Sequence, residues 1–292
     1  MTKPDFIIIG AMKSATSTLH EQLAWQPGIF MSTPKEPNFF SDDAQYAKGW
    51  AWYEGLFAGA KTGDLCGESS THYSKLPDYP ETLARMQRHL PDVKLIYVIR
   101  HPVERLISHY IHQWSLNVIR CDINTAIDSY PELINYSCYA MQLKPYLKCY
   151  GPENILLLSN EAIRHTPQQQ LERIARFIGY QHEVRWQAVL PEQNVSMQRI
   201  RRFAGYELLV NHPLLGWVRR TIVPQVLRDQ VKKRLTMQHR PVIDVVRQRE
   251  LEKTFDADLR ELGRLINTSL TLENYTEVAK TLRAVFVIEQ EI

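Results

Sequence analysis

Residues 6–23 read FIIIGAMKSATSTLHEQL, and the order of residue types there decides the fold class. Residues 6–9 are an apolar run of strand length, Gly10 interrupts it, a hydroxyl-rich stretch follows, and helical spacing begins at Thr16. That is the succession of a strand, a phosphate-cradling turn and a helix N-terminus. The usual phosphate loop is G-x-x-x-x-G-K-[ST], with its lysine in seventh place. Here Gly10 opens the loop, Ala15 stands where the second glycine belongs, and Thr16 takes the lysine's place. Lys13 arrives three residues early.

The same alternation continues outward from this stretch. Strand signals fall at 6–9, 29–31, 63–67, 94–99 and 154–158, and helical patterns at 16–24, 80–89, 103–114, 131–150 and 167–178. This order predicts an α/β fold, a P-loop-like sandwich whose central parallel β-sheet is flanked by helices, with ligands at the carboxyl ends of the strands. Beyond residue 180 the strand signals fade. Residues 199–240 carry repeated arginines and lysines interleaved with Leu, Val and Trp, and 247–266 are amphipathic. There is no internal repeat or Gly/Ser linker. The expectation is one domain over 1–292, an α/β core at 1–180 and a mainly helical part at 181–292.

Composition bounds the function. With 44% hydrophobic and 23% charged residues the chain reads as globular. A net charge of +3 is too mild to argue for nucleic acid as a partner, although local basic clusters suit an anionic ligand. Cys66, Cys121, Cys138 and Cys149 form no C-x-x-C and no zinc spacing, so no metal is expected. The N-terminus lacks a signal-peptide pattern and no apolar run approaches membrane-spanning length, so the expectation is a cytoplasmic protein with reduced thiols. The basic, apolar-laced stretch 201–235 suits peripheral contact with an anionic membrane.

Two stations carry phosphate chemistry. In the first loop, the amides of Ser14, Ala15, Thr16, Ser17 and Thr18 and the neighbouring hydroxyls would face an anion, with Lys13 reaching its far end. The plainer reading is a βα turn with a Ser/Thr N-cap. The second station is KLIYVIRHPVERLISHY at 94–110: a strand, then Arg100, then Pro102 at a helix start, with Ser108 about two turns on. An arginine fork and a hydroxyl beyond a strand end suit a phosphate. Otherwise Arg100 simply pairs with Glu104. Together, two such stations imply a nucleotide phosphorylated at two separate places.

With both stations in order, the chain resembles the sulfotransferases that use 3′-phosphoadenosine 5′-phosphosulfate (PAPS). KSATSTL at 13–19 is similar to their K-[ST]-G-T-[ST]-x-L loop apart from Ala15, and RHPVERLIS at 100–108 fits R-x-P-x-x-R-x-x-S throughout. The resemblance implies that Lys13 to Thr18 hold the 5′ end and Arg100 and Ser108 the 3′-phosphate, without a metal. The product would be adenosine 3′,5′-bisphosphate. Alanine at 15 is harmless if the loop is right-handed there and strained if φ is positive.

Glu36 before Pro-Asn-Phe-Phe and the G-W-A-W-Y of 49–53 resemble the carbohydrate-type branch. By that resemblance Glu36 is the general base on an acceptor hydroxyl of a sugar, glycoconjugate or glycolipid, and Lys13 stabilises the leaving group. Lys35, Trp52, Tyr53 and His72 are candidate acceptor contacts. GESSTHY at 67–73 resembles the family's G-E-x-[ST]-P-x-Y but carries Ser69 where a lysine is frequent, so His72 or Lys75 is the candidate substitute. Asn194, Ser196 and Arg199 in NVSMQR resemble a cofactor-closing loop. The competing readings are a nucleotide kinase, which would need a lysine where Thr16 stands, and a non-catalytic membrane-surface module.

Overall fold

The structure, a computed structural model, describes residues 3–188, 201, 236–237 and 239–286. Five strands, β1 (Phe6–Gly10), β2 (Ile29–Met31), β3 (Leu65–Ser69), β4 (Lys94–Ile99) and β5 (Ile155–Ser159), form one sheet in the order β2-β3-β1-β4-β5. Every pairing is parallel. Because the side chains alternate, Phe6 and Ile8 enter the layer that holds Leu19, Leu23, Ile96, Val98 and Ile174. Ile7 and Ile9 enter the opposite layer with Leu95, Tyr97, Ile99, Tyr139 and Leu143. A strand buried on both faces needs apolar residues at every position, which explains why β1 reads as an unbroken run.

The helices are α1 (Thr16–Ala24), α2 (Asp43–Tyr46), α3 (Trp50–Gly55), α4 (Thr82–His89), α5 (Pro102–Ser115), α6 (Ile123–Ser129), α7 (Glu132–Asn135), α8 (Tyr139–Tyr150), α9 (Asn160–His165), α10 (Pro167–Ile178), α11 (Val245–Leu265) and α12 (Tyr275–Lys280). The sequence signals for α1, β4 and α10 agree with these bounds. The continuous helix expected at 131–150 is a correction: it is two helices, α7 and α8. Asp258 on α11 accepts the amides of Ala140 and Met141 at 3.0 Å and starts α8 afresh. Ser137, in the break, accepts from Nε of buried Arg105 at 2.5 Å.

β1 lies between β3 and β4, so the chain leaves it first toward β2 and later crosses to β4 and β5. The carboxyl end of β1 is therefore the topological switch point, where such sheets open a crevice. Gly10 is required there. Its φ is +156°, and a Cβ would sit 1.9 Å from Ser74 Oγ and 2.9 Å from Tyr97 Cε2. Among the described residues no helix is long and apolar enough to cross a membrane. Most of the basic stretch 199–240 lies outside the described residues. Arg201, at its start, stacks on Trp114 of α5 and donates to Asn117 Oδ1 at 3.2 Å.

Candidate active site

At that switch point a cavity of about 690 Å³ opens beyond β1, β3 and β4. Its first wall is the loop after β1. Met12, Lys13, Ala15, Thr16, Ser17 and Thr18 all line it. Helix α1 begins here with no side-chain cap, so its first-turn amides keep their donors for a ligand. This removes the N-cap reading of the loop. Ser14 is a correction. Its amide donates to Ala11 O at 3.2 Å, and its hydroxyl is wholly buried without a hydrogen-bond partner and does not line the cavity.

Ala15 sits at φ 69°, ψ 15°, the left-handed region that glycine enters without cost. Of the two alternatives left open by the sequence, the strained one holds. Lys13 is also left-handed, at φ 72°. Two left-handed residues, one on each side of Ser14, fold the loop tightly enough to turn the backbone from the sheet into α1.

The second wall comes from the end of β4 and from α5, where Arg100, Ser108 and His112 line the cavity. Arg100 does two things the sequence posed as alternatives. It pairs with Glu104 at 3.4 Å, and its Nη1 donates to Lys13 O at 3.3 Å, which ties the second station to the first. Glu104 is also shared with Arg240. Tyr139 holds the strand end, donating to Arg100 O at 2.5 Å.

Glu36 enters from the third wall, with Thr71, His72 and Lys75. The loop that carries it is pinned to β3: Glu36 N donates to Ser69 O at 2.9 Å and Asn38 N to Ser70 Oγ at 3.1 Å. Lys35 Nζ reaches Glu36 Oε1 at 2.6 Å, and Thr71 Oγ1 donates to Oε2 at 3.3 Å. Burial pushes the Glu36 carboxyl up, but the Lys35 ion pair, with Lys75 and His72 behind it, brings it below the usual carboxylate range. Burial holds both His20 and His72 down at about 4, so both are neutral at pH 7. Ser69, in place of the frequent lysine, is bonded to His20 Nδ1 at 2.9 Å.

The proposed aromatic acceptor contacts need correction. Tyr53 is fully buried, with its hydroxyl donated to Glu68, itself wholly buried and bonded by Ser70 Oγ at 2.6 Å. Trp52 stacks on Phe39 at 6.0 Å with Lys48 over its face, in the cluster that packs beneath the Glu36 loop. Neither lines the cavity, and neither does Lys35, which acts on Glu36 instead. Asn194, Ser196 and Arg199 lie outside the described residues.

Sequence reading missed Gln22, Asn160, Arg164 and Trp186, which complete the fourth wall. Trp186 is fixed by side-chain amides acting as a substitute sheet. Gln168 accepts Trp186 N at 2.8 Å, Gln22 accepts Gln187 N at 2.8 Å, and Gln26 accepts Arg185 N at 3.0 Å. Buried glutamines at 22, on α1, and 26, just past its end, were the available signal. Among the described residues no three His, Cys, Asp or Glu side chains converge as metal ligands.

Residues 3–203 match the family described as "Sulfotransferase domain". Heparan sulfate glucosamine 3-O-sulfotransferase 3B1 of Mus musculus is 32% identical over 188 residues, covering 60% of this chain and 46% of that protein. Bifunctional heparan sulfate N-deacetylase/N-sulfotransferase 2 of Bos taurus is 27% identical over 197 residues, 60% of this chain and 22% of that one. The chain spans about half the length of the 3-O-sulfotransferases it matches. In fold it is similar to a sulfotransferase from Alicyclobacillus acidocaldarius, with a TM-score of 0.58, 24% identity, and 74% of this chain and 99% of that chain covered. It is also similar in fold to a mouse sulfotransferase complexed with PAP, with a TM-score of 0.50, 13% identity, and 94% and 89% covered. With more than half of its residues inside the match, the chain belongs to the sulfotransferase domain family.

Proposed function

We propose that this chain transfers the sulfuryl group of PAPS to a hydroxyl of a sugar acceptor. The observation that carries the proposal is the meeting, in one cavity, of the Lys13 loop, the Arg100 and Ser108 pair, and the carboxylate of Glu36. The donor set fits a nucleotide with an anion at each end. One end has a lysine, hydroxyls and uncapped helix amides; the other has a guanidinium and a hydroxyl. A cavity of about 690 Å³ is within the range that holds ligands of that size. The heparan sulfate sulfotransferases among the relatives support a sugar as acceptor.

In this reading Glu36 accepts the proton of the attacking hydroxyl, and its lowered pKa means that it is ionised at neutral pH. Lys13 offsets the charge that grows on the bridging oxygen as the bond to sulfur breaks. Arg100 and Ser108 hold the remote phosphate and fix the donor along the cavity. The kinase alternative lacks its lysine, since Thr16 is buried at the start of α1. Sulfate transfer from PAPS to a panel of glucosamine- and galactose-containing saccharides tests the proposal. Glu36→Gln is expected to lower kcat by about 10²–10⁴-fold while bisphosphate affinity is kept. Near-normal turnover in that variant would remove Glu36 from the base role.

A further inference from the structure

We infer that Lys75 is a second catalytic cation of this transfer, holding the sulfuryl oxygens of the donor on the side opposite Lys13; the inference rests on the sulfotransferase reading above. Lys75 follows the 3₁₀ turn Thr71–Ser74, is 8% exposed, and lines the same cavity as Lys13 and Glu36. Among the described residues its ammonium has no ion pair with an acid. It lies over the face of Tyr136, with Nζ 5.5 Å from the ring centre. A buried ammonium that lacks an anion is costly, and the cost disappears when a ligand supplies one.

Among the described residues no acid around it comes within ion-pair distance. Tyr136 gives its hydroxyl to Asp78, which acts on Lys75 only through space. His109 stacks on Tyr136 at 5.6 Å and is kept neutral by burial and by the cations around it. Arg105 lies behind, wholly buried and bonded to Ser137 Oγ and Leu133 O, with no carboxylate of its own. Burial first, and Arg105 with it, bring Lys75 down to about 8, while Glu36, Asp78 and Glu132 work the other way without pairing with it. The amine is therefore still protonated at neutral pH. Glu36 itself is bonded to Lys35 and Thr71, and it faces Lys75 without touching it. The space between the two is where an acceptor hydroxyl and a sulfuryl group would meet.

The step then balances without further reagents. The acceptor O–H proton passes to Glu36 and the acceptor oxygen bonds to sulfur. The bond from sulfur to the bridging oxygen breaks, and its electron pair leaves on the bisphosphate, facing Lys13. Lys75 donates to the non-bridging sulfuryl oxygens throughout and is unchanged at the end.

The sulfuryl group is the sole difference between PAPS and its bisphosphate product, which gives the test. Calorimetric affinities for both nucleotides, without acceptor, are measured on wild type, Lys75→Met and Lys75→Arg, with thermal unfolding as a check on the fold. Lys75→Met is expected to weaken PAPS by about tenfold or more, the loss of one charge-assisted hydrogen bond. It should leave bisphosphate affinity and acceptor KM unchanged, and Lys75→Arg should recover part of the loss. Equal weakening of both nucleotides, or an unchanged PAPS affinity with a raised acceptor KM, would overturn the assignment. A wild-type protein that binds neither nucleotide would overturn the sulfotransferase reading itself, and this inference with it.

Discussion

The proposed donor side of the cavity is assembled from two uninterrupted stretches, 10–19 and 100–108, each a strand end running into a helix. The proposed acceptor side draws Glu36 from a loop and Thr71 and His72 from a 3₁₀ turn, and Lys75, assigned above to the donor's sulfuryl oxygens, follows just past that turn. On the proposed donor side the backbone itself would do much of the binding, through uncapped amides whose positions follow from the strand and helix. On the acceptor side each group is placed by a separate tertiary contact, such as Glu36 N on Ser69 O or Lys35 on Glu36. The first kind of site is specified by spacing. The second depends on which side chains the packing turns inward.

Substitutions can separate the two sides. The largest effect is expected from Lys13→Ala, which removes the cation at the leaving oxygen. Transfer should fall by about 10²–10³-fold or more, measured as single-turnover rate at saturating donor. A small loss there would mean that the donor loop binds without acting in the chemistry.

Lys35→Met should act on the acceptor side alone and through pH. Lys35 holds the Glu36 carboxyl down, so without it Glu36 keeps its proton to higher pH. The acid limb of kcat/KM should therefore move upward, while the rate on the alkaline side of that limb and the bisphosphate affinity stay as in wild type. An unshifted limb would break the link between Lys35 and the base.

The smallest effect belongs to Ala15→Gly. Position 15 is left-handed at φ 69°, and an L-residue there gives up about 1–2 kcal/mol that glycine does not. Part of the gain returns as the greater freedom of glycine in the unfolded chain. The variant should be about 1 kcal/mol more stable, read by denaturant unfolding, with donor affinity equal or tighter. A destabilised variant would show that this alanine is not strained.

The contrast also explains what the sequence could reveal. The parallel sheet, α1, β4, α10 and the Arg100 and Ser108 pair were legible because buried strands and helix starts leave local patterns. Trp52 and Tyr53 were not, because an aromatic pair has the same spacing whether it faces a sugar or a core. Here the buried carboxyl of Glu68 draws Tyr53 inward. The break between α7 and α8 was illegible for a similar reason, since Asp258, which caps α8, lies 118 residues from Ala140. Lys75 stood in plain view, but its burial beside Tyr136 is a property of the fold. Ala15 was visible as a departure, and only the backbone angle decided its consequence.

The central claim is that the cavity takes a nucleotide phosphorylated at both ends, and calorimetric titration with adenosine 3′,5′-bisphosphate tests it most directly. ADP and ATP, each with and without Mg²⁺, are the comparison ligands. The account predicts Mg²⁺-independent binding of the bisphosphate in preference to ADP, weakened by about tenfold or more in Arg100→Ala as a charged hydrogen-bonding partner is lost. Preference for ATP with Mg²⁺, or a bisphosphate affinity indifferent to Arg100, would contradict it.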